Sequence, residues 1–330
     1  MIIVKNISQT FKVAEKEPGF LGSFKSLFRK KWITKFALTN INLEIKQGEV
    51  VGLIGANGAG KTTLIKILSG IIYPTSGNAS VLGFNPWERD NRLRKQMSLI
   101  MGQKAQLWWD LPAMDCFLLL KEIYQIPDAE FEHDLKKLSE QLNISSQLKV
   151  QVRSLSLGER MKVELMAALL HRPKVIFLDE PTIGLDISSQ KAIRKFLQEY
   201  QRDYKPIIIL TSHYMEDIEE LCERVIIVKN GSIVYDGDFK KIADHTSQEK
   251  SLTAHLKNKI SAHDLALFPE ELGKISQVDE LTLKVNTHKD NLTTAVAKVL
   301  SLYPINDLSI EAQDITDIIE KIMKEGLSSV

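Results

Sequence analysis

The stretch Gly55-Ala56-Asn57-Gly58-Ala59-Gly60-Lys61-Thr62-Thr63 puts backbone freedom, a cation and two hydroxyls into one short loop. Its glycines let several N–H groups point inward, which makes a nest for phosphate oxygens. Lys61 has the reach for β- and γ-phosphates, and the Thr62 hydroxyl is a magnesium ligand in the G-x-x-x-x-G-K-[ST] pattern. The loop follows an apolar run, Val50-Val51-Gly52-Leu53-Ile54, and precedes the apolar-periodic segment Leu64 to Leu68. That order is strand, loop, helix, so the positive end of the helix adds to the anion site. A glycine turn that binds nothing would leave the lysine, the threonine and this order without a cause. The loop predicts a bound nucleotide.

Four further places could act on a phosphate. Val175-Ile176-Phe177-Leu178 ends in Asp179-Glu180-Pro181, as a buried parallel strand does when its carboxyl end faces a ligand. Pro206 to Thr211 reads as another such strand and delivers Ser212-His213; Met97 to Met101 delivers Gly102-Gln103. A polar turn, Leu155-Ser156-Leu157-Gly158-Glu159-Arg160, opens a helix with serine as its N-cap. A lone histidine is more often structural than functional, and only the place of His213 after its strand argues otherwise.

Taken in order, these motifs resemble the nucleotide-binding subunit of an ATP-binding-cassette (ABC) transporter. The likeness covers residues 1 to about 236 and includes the Gly184-Leu185-Asp186 loop. It implies an α/β P-loop NTPase fold, with a β-subdomain and a helical subdomain over about 104–170. It implies that Asp179 holds magnesium, that Glu180 polarises the attacking water, and that Gln103 contacts both magnesium and that water. By the same resemblance His213 meets the γ-phosphate and Asp186 lies in the loop facing a second cassette. Phe11 is the candidate for stacking on adenine, with Phe36 as rival; a core role for either remains open.

The signature departs from the family pattern, because Leu157 replaces a glycine and Glu159 a glutamine. In the family Ser156, Gly158 and the residue at 159 bind a nucleotide held by the other subunit, so Glu159 would bring negative charge towards phosphate. One chain has one copy of each motif. The resemblance therefore implies a homodimer or paired cassette, ATP and Mg2+ as ligands, and separate integral-membrane permease subunits. The cassette would sit on the cytoplasmic face of the cell membrane. The details resemble bacterial drug exporters of the daunorubicin and viologen type. The competing classes are a soluble cassette ATPase of translation, repair or cluster assembly, and a kinase or nucleotide sensor.

A chain of 330 residues allows about two domains. A cassette over 1–236, a polar linker over 237–250 and a small α+β domain over 251–330 are predicted. In the last, Leu281, Leu283 and Val285 mark a strand, Leu292 to Tyr303 a helix, Leu308 and Ile310 a strand, and Ile315 to Met323 a final helix. Within an insertion at 14–35, Phe20, Leu21, Phe24, Leu27, Phe28 and Trp32 recur at helical spacing with Lys25, Arg29, Lys30 and Lys31 between them. A basic amphipathic helix of this kind, over 20–32, either meets a membrane surface or docks on its own domain. The net charge of +1, from 43 basic and 42 acidic residues, gives nucleic-acid binding no support. Cys116 and Cys222 are too far apart for metal-ligand spacing. No apolar run approaches the roughly 20 residues a membrane span needs.

Overall fold

The computed structural model describes residues 1–15, 31–102, 104–242, 249–265, 267–312, 319 and 322. The chain divides into two compact units, Met1–Gly237 and Asp238–Val330.

The first unit opens with two long strands, β1 (Ile2–Glu15) and β2 (Lys31–Ile45), followed by β3 (Val50–Ile54), α1 (Lys61–Leu68), β4 (Ser76–Val81) and β5 (Met97–Met101). Three helices come next: α2 (Ala113–Tyr124), α3 (Asp128–Gln141) and α4 (Leu157–Leu169). Then come β6 (Val175–Asp179), α5 (Ile187–Tyr204), β7 (Ile207–Thr211), α6 (Met215–Leu221), β8 (Arg224–Lys229) and β9 (Ser232–Asp238). One sheet has the order β2-β1-β4 and is antiparallel; the other has the order β5-β6-β7-β3-β8-β9.

In the larger sheet β5, β6, β7, β3 and β8 pair in parallel. Residues 51–54, 175–178, 207–211 and 225–228 are buried on both faces, so the sequence reads as unbroken apolar runs such as Val175-Ile176-Phe177-Leu178, whereas β5 at the edge alternates. Leu64, Ile65, Ile67 and Leu68 of α1 share one core with Val175, Phe177, Ile207 and Ile209 of this sheet and with Ile2, Val4, Leu38 and Ile41 of the smaller one. The order β6-β7-β3 matters most. It sets three carboxyl ends side by side, and each of them carries a residue group singled out above.

Where the sequence predicts a helix over the 14–35 insertion, its described edges are strand. Ala14 pairs with Trp32 and Glu15 with Lys31, because the β1–β2 ladder runs on through the β-branched and aromatic stretch Trp32-Ile33-Thr34. Residues 16–30, which hold the rest of that expected helix, lie outside the described residues.

The second unit is a four-stranded antiparallel sheet of order β11-β12-β10-β13 with one described long helix. Its elements are β10 (Glu249–Leu256), β11 (Lys274–Asp279), β12 (Thr282–His288), α7 (Leu292–Leu302) and β13 (Ile305–Ala312). Leu252, Ala254, Leu283, Val285, Ala295 and Val299 form its core. The polar linker expected over 237–250 is partly structured instead. Residues 239–242 are helical, Phe239 and Ile242 are buried one turn apart, and Glu249 opens β10. Of the final helix, only Ile319 and Ile322 are described; both are helical and buried.

Candidate functional site

The loop after β3 closes on Lys61. Its Nζ donates to the carbonyls of Gly55 (2.6 Å) and Ala56 (3.2 Å), which fixes the ammonium at the mouth of the loop. Burial pulls the Lys61 pKa below the usual lysine range, while Glu180 and Asp179 push it back up. Two glycines are dictated by neighbours. A Cβ on Gly60 would come within 2.6 Å of the Ala37 carbonyl oxygen, and one on Gly55 within 2.3 Å of that of Val228. Gly58 has φ +79 and open space around it, so only its backbone conformation demands glycine. The Asn230-Gly231 turn ties β2 to the loop, since the Gly231 N–H donates to Ala59 and Thr39 donates to Gly231.

Asp179 ends β6 with its Oδ1 accepting from Thr211 Oγ1 at 2.7 Å and from Thr62 Oγ1 at 3.2 Å. Glu180 follows in the left-handed region, at φ +58. That conformation costs a non-glycine residue about 1–2 kcal/mol. Neighbours hold it there: the Glu180 N–H donates to Thr211 Oγ1, and a Cβ on Gly102 would lie 2.0 Å from the Glu180 carbonyl oxygen. The strained turn aims the carboxylate at the segment after β7, where His213 Nε2 is 2.9 Å from Glu180 Oε1.

Lys61, Thr62 and Glu180 line a cavity of about 220 Å³ together with Phe11, Lys35, Ala37, Asn57, Gly58, Gly60 and Thr63; Asp179 and His213 do not line it. Phe11 and Lys35 are cross-strand partners on one face of the β1–β2 ladder, whereas Phe36 pairs with Thr10 on the other face. Phe36 is exposed and does not line the cavity. Lys35 was not anticipated, although alternation outward from Phe11 and its strand partner identifies it. Thr211 and Gly102 were also missed: a threonine ending an apolar strand, and a glycine packed on another strand's turn, have no local signature. Gln103 lies outside the described residues.

The signature residues form a different structure. Ser156 caps α4, and Glu159 completes a reciprocal capping box: the Ser156 N–H and Oγ–H donate to Glu159 Oε2 at 2.9 and 2.8 Å, and the Glu159 N–H donates to Ser156 Oγ at 3.3 Å. Gln147 Nε2 donates to the other carboxylate oxygen at 2.9 Å. The hydrogen bonds from Ser156 hold the Glu159 carboxyl below the usual range. The Glu159 carboxylate is thus held within the cap of its own helix. Gly158 packs against α5, where a Cβ would meet Ser189 Oγ at 2.4 Å. Asp186 in turn caps α5 through the Ser189 N–H and hydroxyl. Ser156, Gly158, Glu159 and Asp186 do not line the cavity.

Residues 38–183 match the family model described as ABC transporter. The chain is 31% identical over 220 residues to the ABC transporter ATP-binding protein NatA of Bacillus subtilis (strain 168), a match that covers 67% of this chain and 89% of that one. The chain belongs to the ABC transporter family. This ABC cassette is also 26% identical over 297 residues to the linearmycin resistance ATP-binding protein LnrL of the same organism, across 88% of this chain and 93% of that protein. A solved ATP-binding subunit of an ABC transporter superposes with a TM-score of 0.61 at 25% identity, covering 75% of this chain and 93% of that one. The fold is that of an ABC ATPase, and the chain is an ATP-hydrolysing subunit of an ABC transporter. No helix among the described residues is long and apolar enough to cross a membrane.

Proposed function

We propose that this ABC ATPase drives the export of small hydrophobic compounds as a dimer beneath separate permease subunits. The observation that carries the catalytic part is the Glu180–His213 contact at the rim of the cavity built by the Lys61 loop. In this reading backbone N–H groups of the loop and Lys61 hold the β- and γ-phosphates, and Phe11 stacks on adenine. Glu180 is the general base that takes the proton of the attacking water, and His213 positions that carboxylate and registers the γ-phosphate.

A magnesium ion fits the residues present. Thr62 Oγ1 and Asp179 Oδ1 converge as hard oxygen donors, and this ion takes one or two protein oxygens and keeps water and phosphate for the rest. Thr62 and Asp179 would hold it, and it would neutralise charge on the phosphates.

The cavity draws no wall from Ser156, Gly158 or Asp186, which supports a partner cassette supplying them in a two-fold pair. Trp108, Trp109, Leu118, Leu119 and Ile123 are exposed large apolar residues on α2 and the segment before it, which suits docking by a membrane subunit. The composition of residues 20–32 suits contact with a membrane surface. Export, rather than import, rests on the match to the linearmycin resistance protein, which reaches beyond the cassette into the second unit.

Glu180→Gln tests the reading. The variant is expected to bind ATP as wild type does, to hydrolyse it at least about 100-fold more slowly, and to accumulate as an ATP-bound dimer in size-exclusion chromatography. Turnover near the wild-type rate removes Glu180 as the base. Hydrolysis by strictly monomeric wild type at the assembled rate removes the dimer.

A further inference from the structure

Behind the cavity a second carboxylate is wholly buried. Asp217 lies on α6, one turn past His213, with no exposed surface. Its Oδ2 accepts hydrogen bonds from two hydroxyls, Thr182 Oγ1 and Ser212 Oγ, the latter at 2.5 Å. Its Oδ1 accepts from Arg194 Nη1 of α5 at 2.9 Å. Arg194 is itself buried and reaches Glu220 Oε1 with its Nε at 3.0 Å. A buried charge in such a place is tolerated only when it is fully hydrogen-bonded, and removal of one donor leaves the others misaligned.

The two hydroxyls are not scattered. Thr182 follows Glu180 by two residues, across Pro181 with its fixed φ, and Ser212 immediately precedes His213. One oxygen atom therefore pins both loops within two residues of the groups that meet at 2.9 Å. Ser212 Oγ also accepts from the Tyr214 N–H, so the backbone on either side of His213 is held by the same hydroxyl. We infer that Asp217, oriented by Arg194, is a positioning residue that sets the spacing of Glu180 and His213 for hydrolysis. This rests on the assignment of Glu180 as general base, and it adds a residue that touches neither nucleotide nor water.

Two variants separate positioning from folding. Asp217→Asn keeps the shape, but its amide turns at least one of the three donors away. Thr182→Val combined with Ser212→Ala deletes both pins and leaves the Asp217–Arg194 pair whole. Each is expected to keep its Kd for a fluorescent ATP analogue within about threefold of wild type while kcat falls about tenfold or more, since small displacements of catalytic groups cost that much. In a His213→Ala background the same changes are expected to lower kcat by no more than about twofold, because the spacing they protect is already gone. The inference is overturned if kcat is unchanged in folded Thr182→Val/Ser212→Ala, if nucleotide affinity falls as far as kcat, or if the losses simply multiply with that of His213→Ala. These outcomes are independent of Glu180→Gln, whose normal turnover would instead remove the base itself.

Discussion

Asp134 and Asp179 show two ways of keeping a carboxylate inside this cassette. Asp134 on α3 is buried, and a guanidinium answers it: Arg172 donates through Nε at 2.6 Å and Nη2 at 2.9 Å, with the Tyr204 hydroxyl at 3.4 Å. Arg172 also lies over the Tyr204 ring, and Lys137 of α3 pairs with Asp203 of α5 at 2.8 Å. That cluster is complete, with charge matched by charge, and it joins α3 to α5. Among the described residues the Asp179 carboxylate accepts from two hydroxyls, next to a second carboxylate and a buried lysine. The first arrangement stabilises a seam. The second keeps negative charge where a cation and phosphates are handled, and so trades stability for chemistry.

Substituting each aspartate by asparagine sharpens that contrast. Asp134→Asn weakens the hold on an exposed guanidinium that also reaches Glu130, and should lower unfolding free energy by about 2 kcal/mol. ATPase activity per folded molecule should stay within about twofold of wild type, since no part of the cavity changes. Asp179→Asn should do the reverse. Stability in the absence of nucleotide should shift by about 1 kcal/mol or less, because like charges beside Glu180 are relieved, while hydrolysis falls about 100-fold. Urea titrations and ATPase assays on both proteins decide it. If Asp179→Asn unfolds as readily as Asp134→Asn, the distinction between the two sites is wrong.

The parts legible in the sequence are those whose cause is local. Five-residue apolar runs give the parallel strands because both faces are buried, and the glycine loop follows from close approach and open backbone angles around Gly55 to Gly60. The segment Ser251-Leu252-Thr253-Ala254-His255-Leu256 hid β10, since its buried face holds only Leu252, Ala254 and Leu256 among polar residues. Helical spacing misassigned Lys31 and Trp32, where strand pairing with β1 prevailed. The remaining gaps are long-range. Thr182 and Asp217 are 35 residues apart in the chain, and Glu180 is held by Thr211 across a strand pair. The turn of Glu159 back on Ser156 was legible, because Ser156-x-x-Glu159 at a helix start is the spacing of a capping box.

A neutral buried group extends the contrast to pH. His171, after α4, stacks on Tyr124 with ring centroids 3.8 Å apart and an interplanar angle of 9°. Its Nδ1 is buried without a hydrogen-bond partner among the described residues, and burial lowers its pKa to about 4. The unfolded chain therefore takes up a proton on this residue before the folded one does. The stability His171 contributes is full above about pH 6.5, falls as pH drops from there to about 4, and then levels, a loss of about 3 kcal/mol. His171→Phe should flatten that part of the stability–pH curve. A variant with the wild-type slope between pH 6.5 and 4 would place the proton uptake elsewhere.

The smallest effect concerns Ser156, where fold and function compete for one hydroxyl. As the N-cap of α4 it satisfies the Glu159 N–H and donates to the Glu159 carboxylate. Ser156→Ala should therefore cost about 1 kcal/mol of stability, as losses of such caps do. Glu159→Gln keeps an acceptor for the Ser156 N–H but removes the charge at the positive end of the helix, and should cost about half as much. If Ser156 acts on a nucleotide held by a partner, the two variants must diverge in the assembled state. Ser156→Ala then weakens ATP-driven dimerisation of a Glu180→Gln background, whereas Glu159→Gln leaves it intact or strengthens it by removing negative charge. Equal weakening by both, in proportion to lost stability, would mean that Ser156 serves α4 alone.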